Sequence, residues 1–187
     1  KELKRLENID NNNVRKAGVK IFYEEAFLES DKIVKVGKDK LYAKKIIIAT
    51  GGRPKELNIE GAKYSINSDQ IMELTKIPKL LTIVGSGYIA IEFAFIFSQL
   101  GSKVNLICRK DLLRGFDRDL VALVKHTLAL KGIKLYLNTS VLKISLQKKL
   151  RIISLQNHKT KILANEVLVA IGREASTQSL NLKNIGI

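Results

Sequence analysis

The chain has 187 residues, enough for about one and a quarter domains at ~150 residues each. It is 45% hydrophobic and 27% charged, with 12 Gly and 2 Pro, which excludes a disordered tail, a collagen-like repeat and, with Cys108 as the single cysteine, a disulfide framework; a reducing, cytoplasmic setting is expected. The 33 Lys and Arg against 18 Asp and Glu leave +15, a surplus that permits anionic ligands, but scattered lysines, no Trp and 6% aromatic content read as solvated faces rather than a nucleic-acid surface.

The first twenty residues are charged throughout and hold no secretory signal. The chain starts at Lys1 rather than Met and ends at Ile187 in an apolar stretch, so a longer parent protein is expected. Val19–Tyr23, Ile33–Val36 and Ile46–Ala49 read as short strands, separated by Glu29-Ser30-Asp31-Lys32 and Gly37-Lys38-Asp39. Gly51-Gly52-Arg53-Pro54 ends this region. In the polar connector that follows, Ser68-Asp69 is expected to cap a short helix through Ile71–Leu74.

From Leu80 the pattern becomes alternating β and α. Leu81–Val84 is an apolar strand of the type buried on both faces of a parallel sheet. Tyr88–Leu100 reads as a helix closed by Gly101, Lys103–Ile107 as a second strand, and Asp117 as the cap of a second helix that ends at Lys131-Gly132. Ile133–Leu137, Val141–Leu146, Leu150–Leu155 and Val167–Ile171 are further strands, the middle two facing each other across Gln147-Lys148-Lys149. Leu80–Phe97 is too short and too interrupted, by Gly85, Gly87 and Glu92, for a membrane span.

Gly85-Ser86-Gly87-Tyr88-Ile89-Ala90 follows a buried strand and opens a helix, the setting a dinucleotide-binding turn requires. Gly85 permits the tight turn, Gly87 lets the backbone approach a pyrophosphate, and Ala90 lets helix and strand pack closely; the helix N-terminus supplies free N–H groups for phosphate. Where an NAD site usually carries an acid, the second strand ends in Ile107-Cys108-Arg109-Lys110, with Arg114 beyond. A cation there pairs with the 2′-phosphate of NADP. The blander readings are a ligand-free glycine turn and solvated loop charges. His126 and His158 have no metal-ligand spacing and read as surface residues, and Cys108 as a strand-end residue.

Four motifs in order resemble the flavin-dependent pyridine nucleotide–disulfide oxidoreductases: Ala49-Thr50-Gly51-Gly52-Arg53-Pro54, Gly85 to Glu92, Leu113-Arg114-Gly115-Phe116-Asp117, and Ala170-Ile171-Gly172-Arg173. Tyr88-Ile89-Ala90 and Leu113–Asp117 are typical of the family's glutathione reductase branch. The resemblance implies that Thr50, Gly51 and Gly52 lie against FAD, with Ala26 near its adenine end. It implies that Gly85, Ser86, Gly87, Tyr88, Ile89 and Ala90 cradle the NADPH pyrophosphate and that Arg109 and Arg114 meet its 2′-phosphate; Lys110, beside Arg109 at the strand end, is a further candidate there. Tyr88 is similar to a gate over the flavin, and Glu92 to a carboxylate that pairs with a lysine beside it. Gly172 would approach the nicotinamide ribose, and Arg173 would return toward the FAD domain. Tyr88 also reads as an ordinary packing aromatic, whereas Glu92 in an apolar helix calls for a partner.

Several departures accompany the resemblance. Arg109 and Arg114 stand five positions apart, one closer than the family's usual pair. Leu57, Glu60, Ala175 and Ser176 replace usual family residues, and Glu24 stands where a glycine is expected. The family's first dinucleotide turn, redox cysteine pair and dimerisation domain are not among these residues. The expected fold is α/β, a Rossmann-type parallel sheet with a small antiparallel meander at Val141–Leu155. The expected division is residues 1–54 as part of an FAD-binding domain, 55–172 as the NADPH-binding domain and 173–187 as the return. The implied parent is a homodimeric NADPH- and FAD-dependent reductase of a small disulfide, glutathione disulfide by resemblance, acting without metal, membrane or nucleic acid. The alternatives are a dihydrolipoamide dehydrogenase-like or mercuric reductase-like flavoprotein, and a stand-alone NADPH-binding or basic nucleic-acid-binding module.

Overall fold

Glu2 in the first turn and Arg15 and Lys16 in the last suit the dipole of a helix over Glu2–Lys16 (α1). Arg5 adds a bond to Glu2 one turn away, at 2.9 Å. Gly18, at φ 75°, closes the helix by donating to the carbonyl of Arg15. The sequence reading placed no element here; the apolar stripe of Leu3, Leu6, Ile9 and Val14 is thin, and no residue of α1 is buried.

The computed structural model describes residues 2–156 and 158–187, with Lys1 outside them. They divide into two units, Lys1–Gly51 with Ala175–Ile187, and Gly52–Glu174. In the first unit, α1 is followed by β1 (Ala26–Leu28), β2 (Ile33–Val36) and β3 (Asp39–Tyr42), an antiparallel sheet in that order. Asn181 ties the C-terminal segment to this sheet through a 3.1 Å bond from its Nδ2 to the Leu28 carbonyl. The predicted strand Ile33–Val36 forms as expected. Val19–Tyr23 and Ile46–Ala49 do not become strands: neither has a ladder partner among the described residues, and Ile47 is 90% exposed. Their β-branched composition fits a pleated surface only where a neighbouring strand provides one.

The second unit begins with β4 (Gly52–Pro54) and builds a parallel sheet from β5 (Leu80–Val84), β6 (Lys103–Ile107), β7 (Lys134–Tyr136) and β11 (Glu166–Val169), ordered β11-β5-β6-β7. Helices α2 (Tyr88–Gln99) and α3 (Arg118–Leu130) are the crossovers β5 to β6 and β6 to β7. Before β11 the chain forms an antiparallel sheet of β8 (Val141–Gln147), β9 (Leu150–Leu155) and β10 (Ile162–Ala164). The two strands of the predicted meander are there, and β10 adds a third that the sequence reading lacked. The last strand, β12 (Arg173–Ala175), pairs with β4.

Period-two alternation sorts the parallel strands onto two faces. Leu81, Ile83, Leu106 and Leu168 pack with Ala90, Ala94 and Phe97 of α2 and with Val121 and Leu128 of α3. Val84, Ile107 and Val167 pack the other way, with Ile144, Ile153 and Leu155 of the antiparallel sheet. The parallel sheet is thus covered on both faces, which is why Leu81–Val84 of β5 reads as a nearly continuous apolar run.

Caps were legible in part. Asp117 accepts the amides of Asp119 and Leu120 at 3.0 and 3.1 Å and starts α3 as expected. The predicted short helix is a 3-10 turn over Gln70–Glu73, and Asp69 makes no side-chain cap bond there. Asn67 replaces it, its Oδ1 accepting from the amides of Asp69 and Gln70. No helix among the described residues is long and apolar enough to cross a membrane.

Candidate functional site

Strand β5 has β6 on one side and β11 on the other, so chain direction around the sheet reverses there. In open α/β sheets a crevice forms at such a switch point, beyond the carboxyl ends of the strands. A cleft of about 830 Å³ lies there in the second unit, lined by the glycine turn after β5, the end of β6, and Ala170 to Arg173 after β11.

The glycine turn is shaped by close approach. Gly85 adopts φ +151°, and a Cβ on it would stand 2.2 Å from the Ala170 carbonyl oxygen and 3.2 Å from the Ala90 side chain. Its amide donates to Ile107 at 2.9 Å, and its carbonyl accepts the Cys108 thiol at 3.2 Å. At Gly87, by contrast, a Cβ would meet nothing within 4 Å, so the backbone there borders open cleft. Gly87 is also the N-cap of α2 and offers no side chain to the first-turn amides. That leaves N–H groups and the positive dipole end at the cleft for an anion.

Four cations, Lys55, Arg109, Arg114 and Arg173, border the cleft, and none of its described lining residues is Asp or Glu. Arg109 follows β6 directly. Arg114 borders the cleft despite the shortened spacing; Leu113 before it takes a left-handed conformation at φ 46°, which costs a non-glycine residue about 1–2 kcal/mol. The Leu113 amide donates to Ser86 within the glycine turn at 2.8 Å. Lys110 is exposed and does not border the cleft.

The remaining sequence candidates fall in several places. Ser86, Gly87, Tyr88, Ile89 and Gly172 line the cleft, while Ala90 is buried beneath it. Tyr88 and Glu92 are one turn apart on α2 and both exposed, on one face of the helix. Arg173 bonds to the Gly52 carbonyl and to Ser68, and pairs with Asp69 at 3.6 Å. Ala26 lies on β1, and Thr50 and Gly51 are exposed, all three in the first unit. Gly52 opens β4; a Cβ there would stand 3.0 Å from the Glu174 carbonyl oxygen.

Thr139 and Ser140, after β7, also line the cleft, and the sequence reading missed them. The Thr139 amide donates to the Cys108 carbonyl at 3.0 Å, which draws this segment to the end of β6. Cys108 itself is buried, and burial, followed by the charge of Asp111, pushes its thiol up to about 12. His126 is exposed on α3, and His158 is exposed with its ring 3.4 Å from the Thr139 hydroxyl. Among the described residues no group of three His, Cys, Asp or Glu converges as a metal site.

Comparison with known proteins adds relatives to this geometry. The family model for pyridine nucleotide-disulphide oxidoreductases matches residues 1–187. The glutathione reductase of Nostoc sp. is 37% identical over 189 residues, covering 100% of this chain and 41% of that protein. A mercuric reductase of Lysinibacillus sphaericus is 34% identical over 159 residues, covering 82% of this chain and 29% of the relative. The solved structure of the HOCl-induced flavoprotein disulfide reductase RclA from Escherichia coli aligns with a TM-score of 0.88 at 26% identity, over 98% of this chain and 43% of that one. The chain therefore spans less than half the length of each of these relatives.

Proposed function

The chain belongs to the pyridine nucleotide-disulphide oxidoreductase family, and from that membership we propose that it carries the NADPH-binding domain of a flavoprotein glutathione-disulfide reductase. Residues 55–172 form the NADPH-binding domain in this reading, and 1–54 and 173–187 are pieces of the FAD-binding domain. The observation that carries it is the charge of the cleft: Arg109 and Arg114 both border it, with no carboxylate among its described lining residues. An NAD site needs an acceptor for the ribose hydroxyls, whereas a 2′-phosphate needs forked cations.

The glycine turn fits a pyrophosphate, because Gly87 leaves its space open and α2 presents free amides there. Thr139 and Ser140 add hydroxyl groups to the same cleft. Tyr88 stands at the cleft mouth, 57% exposed, and is proposed to cover the flavin until nicotinamide displaces it. Glu92, one turn on, is proposed to pair with a lysine supplied by the rest of the protein, and Ala26, Thr50, Gly51 and Gly52 to contact FAD. The chemistry that bound NADPH and FAD supply is hydride donation and two-electron relay to a disulfide. Cys108 is the one cysteine of this chain and is buried, so paired thiols for disulfide exchange come from elsewhere in the whole protein. The complete enzyme is proposed to be a cytoplasmic homodimer.

The test is NADPH oxidation by the complete protein with glutathione disulfide as acceptor. Turnover is expected, with kcat/KM about ten- to hundredfold lower for NADH. Turnover with mercuric ion and none with glutathione disulfide would favour the second reading, a mercuric reductase, which the Lysinibacillus relative supports.

A further inference from the structure

The loop that carries the two cleft arginines is held from behind by a group that nucleotide binding does not itself use. Asp111 lies two residues after Arg109 and three before Arg114. Its Oδ1 stands 2.6 Å from Lys125 Nζ, and its Oδ2 stands 3.3 Å from Arg118 Nη1. Both cations belong to α3. Oδ1 also accepts the amide of the next residue, Leu112, at 2.8 Å. The loop is therefore fixed at three points. Leu112 is fully buried in the core, Leu113 donates to Ser86 of the glycine turn, and Asp111 is tied to α3. Leu113 keeps its left-handed backbone only while its surroundings hold it.

We propose that Asp111 is a positioning residue for nucleotide specificity: by tying the loop to Lys125 and Arg118 of α3, it holds Arg109 and Arg114 together at the cleft, where they grip a 2′-phosphate. This rests on the NADPH reading above. A carboxylate so close to a phosphate site repels the ligand if charge is all that matters. The positioning role and the bare electrostatic role of Asp111 therefore demand opposite outcomes when its charge is removed.

The test compares the unsubstituted chain with Asp111→Asn, Lys125→Met and the double variant. Calorimetric Kd values for NADPH and NADH are measured together with tryptic cleavage after Arg109, Lys110 and Arg114 without nucleotide. Asn keeps the size of Asp and an acceptor for Leu112, so only the ion pairs are lost. Asp111→Asn is expected to weaken NADPH about three- to tenfold, leave NADH unchanged and speed tryptic cleavage of the loop. Lys125→Met should act alike, and the double variant should add little to either. NADPH binding that tightens or stays the same in Asp111→Asn overturns the proposal, as does an equal loss for both nucleotides. An unsubstituted chain with no preference for NADPH overturns the nucleotide reading itself; a preference undiminished in Asp111→Asn overturns only the role given to Asp111.

Discussion

The backbone at Gly85 passes so close to Ala170 that a Cβ on the glycine would stand 2.2 Å from the Ala170 carbonyl oxygen. Ala170 cannot yield easily, since its amide donates to Val84 at 2.8 Å beside β5. Gly85→Ala combines this clash with an unfavourable φ of +151°, and is expected to destabilise the chain by about 2–4 kcal/mol. A denaturant melt checks this. Gly87→Ala meets nothing within 4 Å and should cost no more than about 1 kcal/mol, from the poorer N-cap of α2, while weakening nucleotide binding.

Cys108 should be chemically silent in the folded chain. Its thiol is pushed from an ordinary value of 9.0 up to about 12, by burial first and by the Asp111 charge second. The folded state therefore favours the neutral thiol. Its contribution to stability is fully present below pH 9.0 and is lost as pH rises toward 12. Iodoacetamide at pH 8 should leave native protein unmodified and alkylate Cys108 only after unfolding. Fast labelling of native protein would contradict the burial.

Neighbouring residues of α2 should respond very differently to substitution. Phe97 is 7% exposed in the core cluster, and Ile96 is 49% exposed. Ile96 shares an outer face with Tyr88, Glu92 and Leu100, spaced four residues apart, all of them exposed. Phe97→Ala is expected to cost about 3–5 kcal/mol, and Ile96→Gln less than about 0.5 kcal/mol.

Much of the second unit was legible because its strands are buried on both faces and its helices carry clear punctuation. Leu81–Val84 is apolar but for Thr82, Lys103–Ile107 and Leu150–Leu155 carry Val, Leu and Ile among their polar residues, and Asp117 marks the start of α3 with a cap that forms. The first unit was less legible. Its helix buries nothing, and the apolar spacing of α1 is interrupted by the polar run Asn11-Asn12-Asn13. Strands β1 and β10 have three residues each, too few to show alternation. The loop of Arg114 could not be read, because it contains the positive φ of Leu113 and a bond from Leu113 to Ser86, far off in sequence. Asp111 and Lys125 stand 14 positions apart, so only the turn of the chain into α3 makes them partners.

Arg109→Glu should invert the nucleotide preference, since it deletes a phosphate partner and introduces an acceptor for ribose hydroxyls. Arg114→Ala should weaken NADPH and spare NADH, because Arg114 borders the cleft with Arg109. Fluorescence titration of each variant with both nucleotides gives the comparison. Equal losses for NADPH and NADH in Arg114→Ala would place that side chain away from the 2′-phosphate.

Calorimetric titration of the unsubstituted chain with NADPH and with NADH tests most directly the cleft that is bordered by cations, with no carboxylate among its described lining residues. A charge-assisted phosphate contact is worth roughly 1.5–3 kcal/mol, so NADPH should bind about ten- to hundredfold more tightly. The difference should shrink as salt is raised, because the added contact is ionic. Equal affinities, or tighter binding of NADH, would contradict the assignment of Arg109 and Arg114 to a 2′-phosphate.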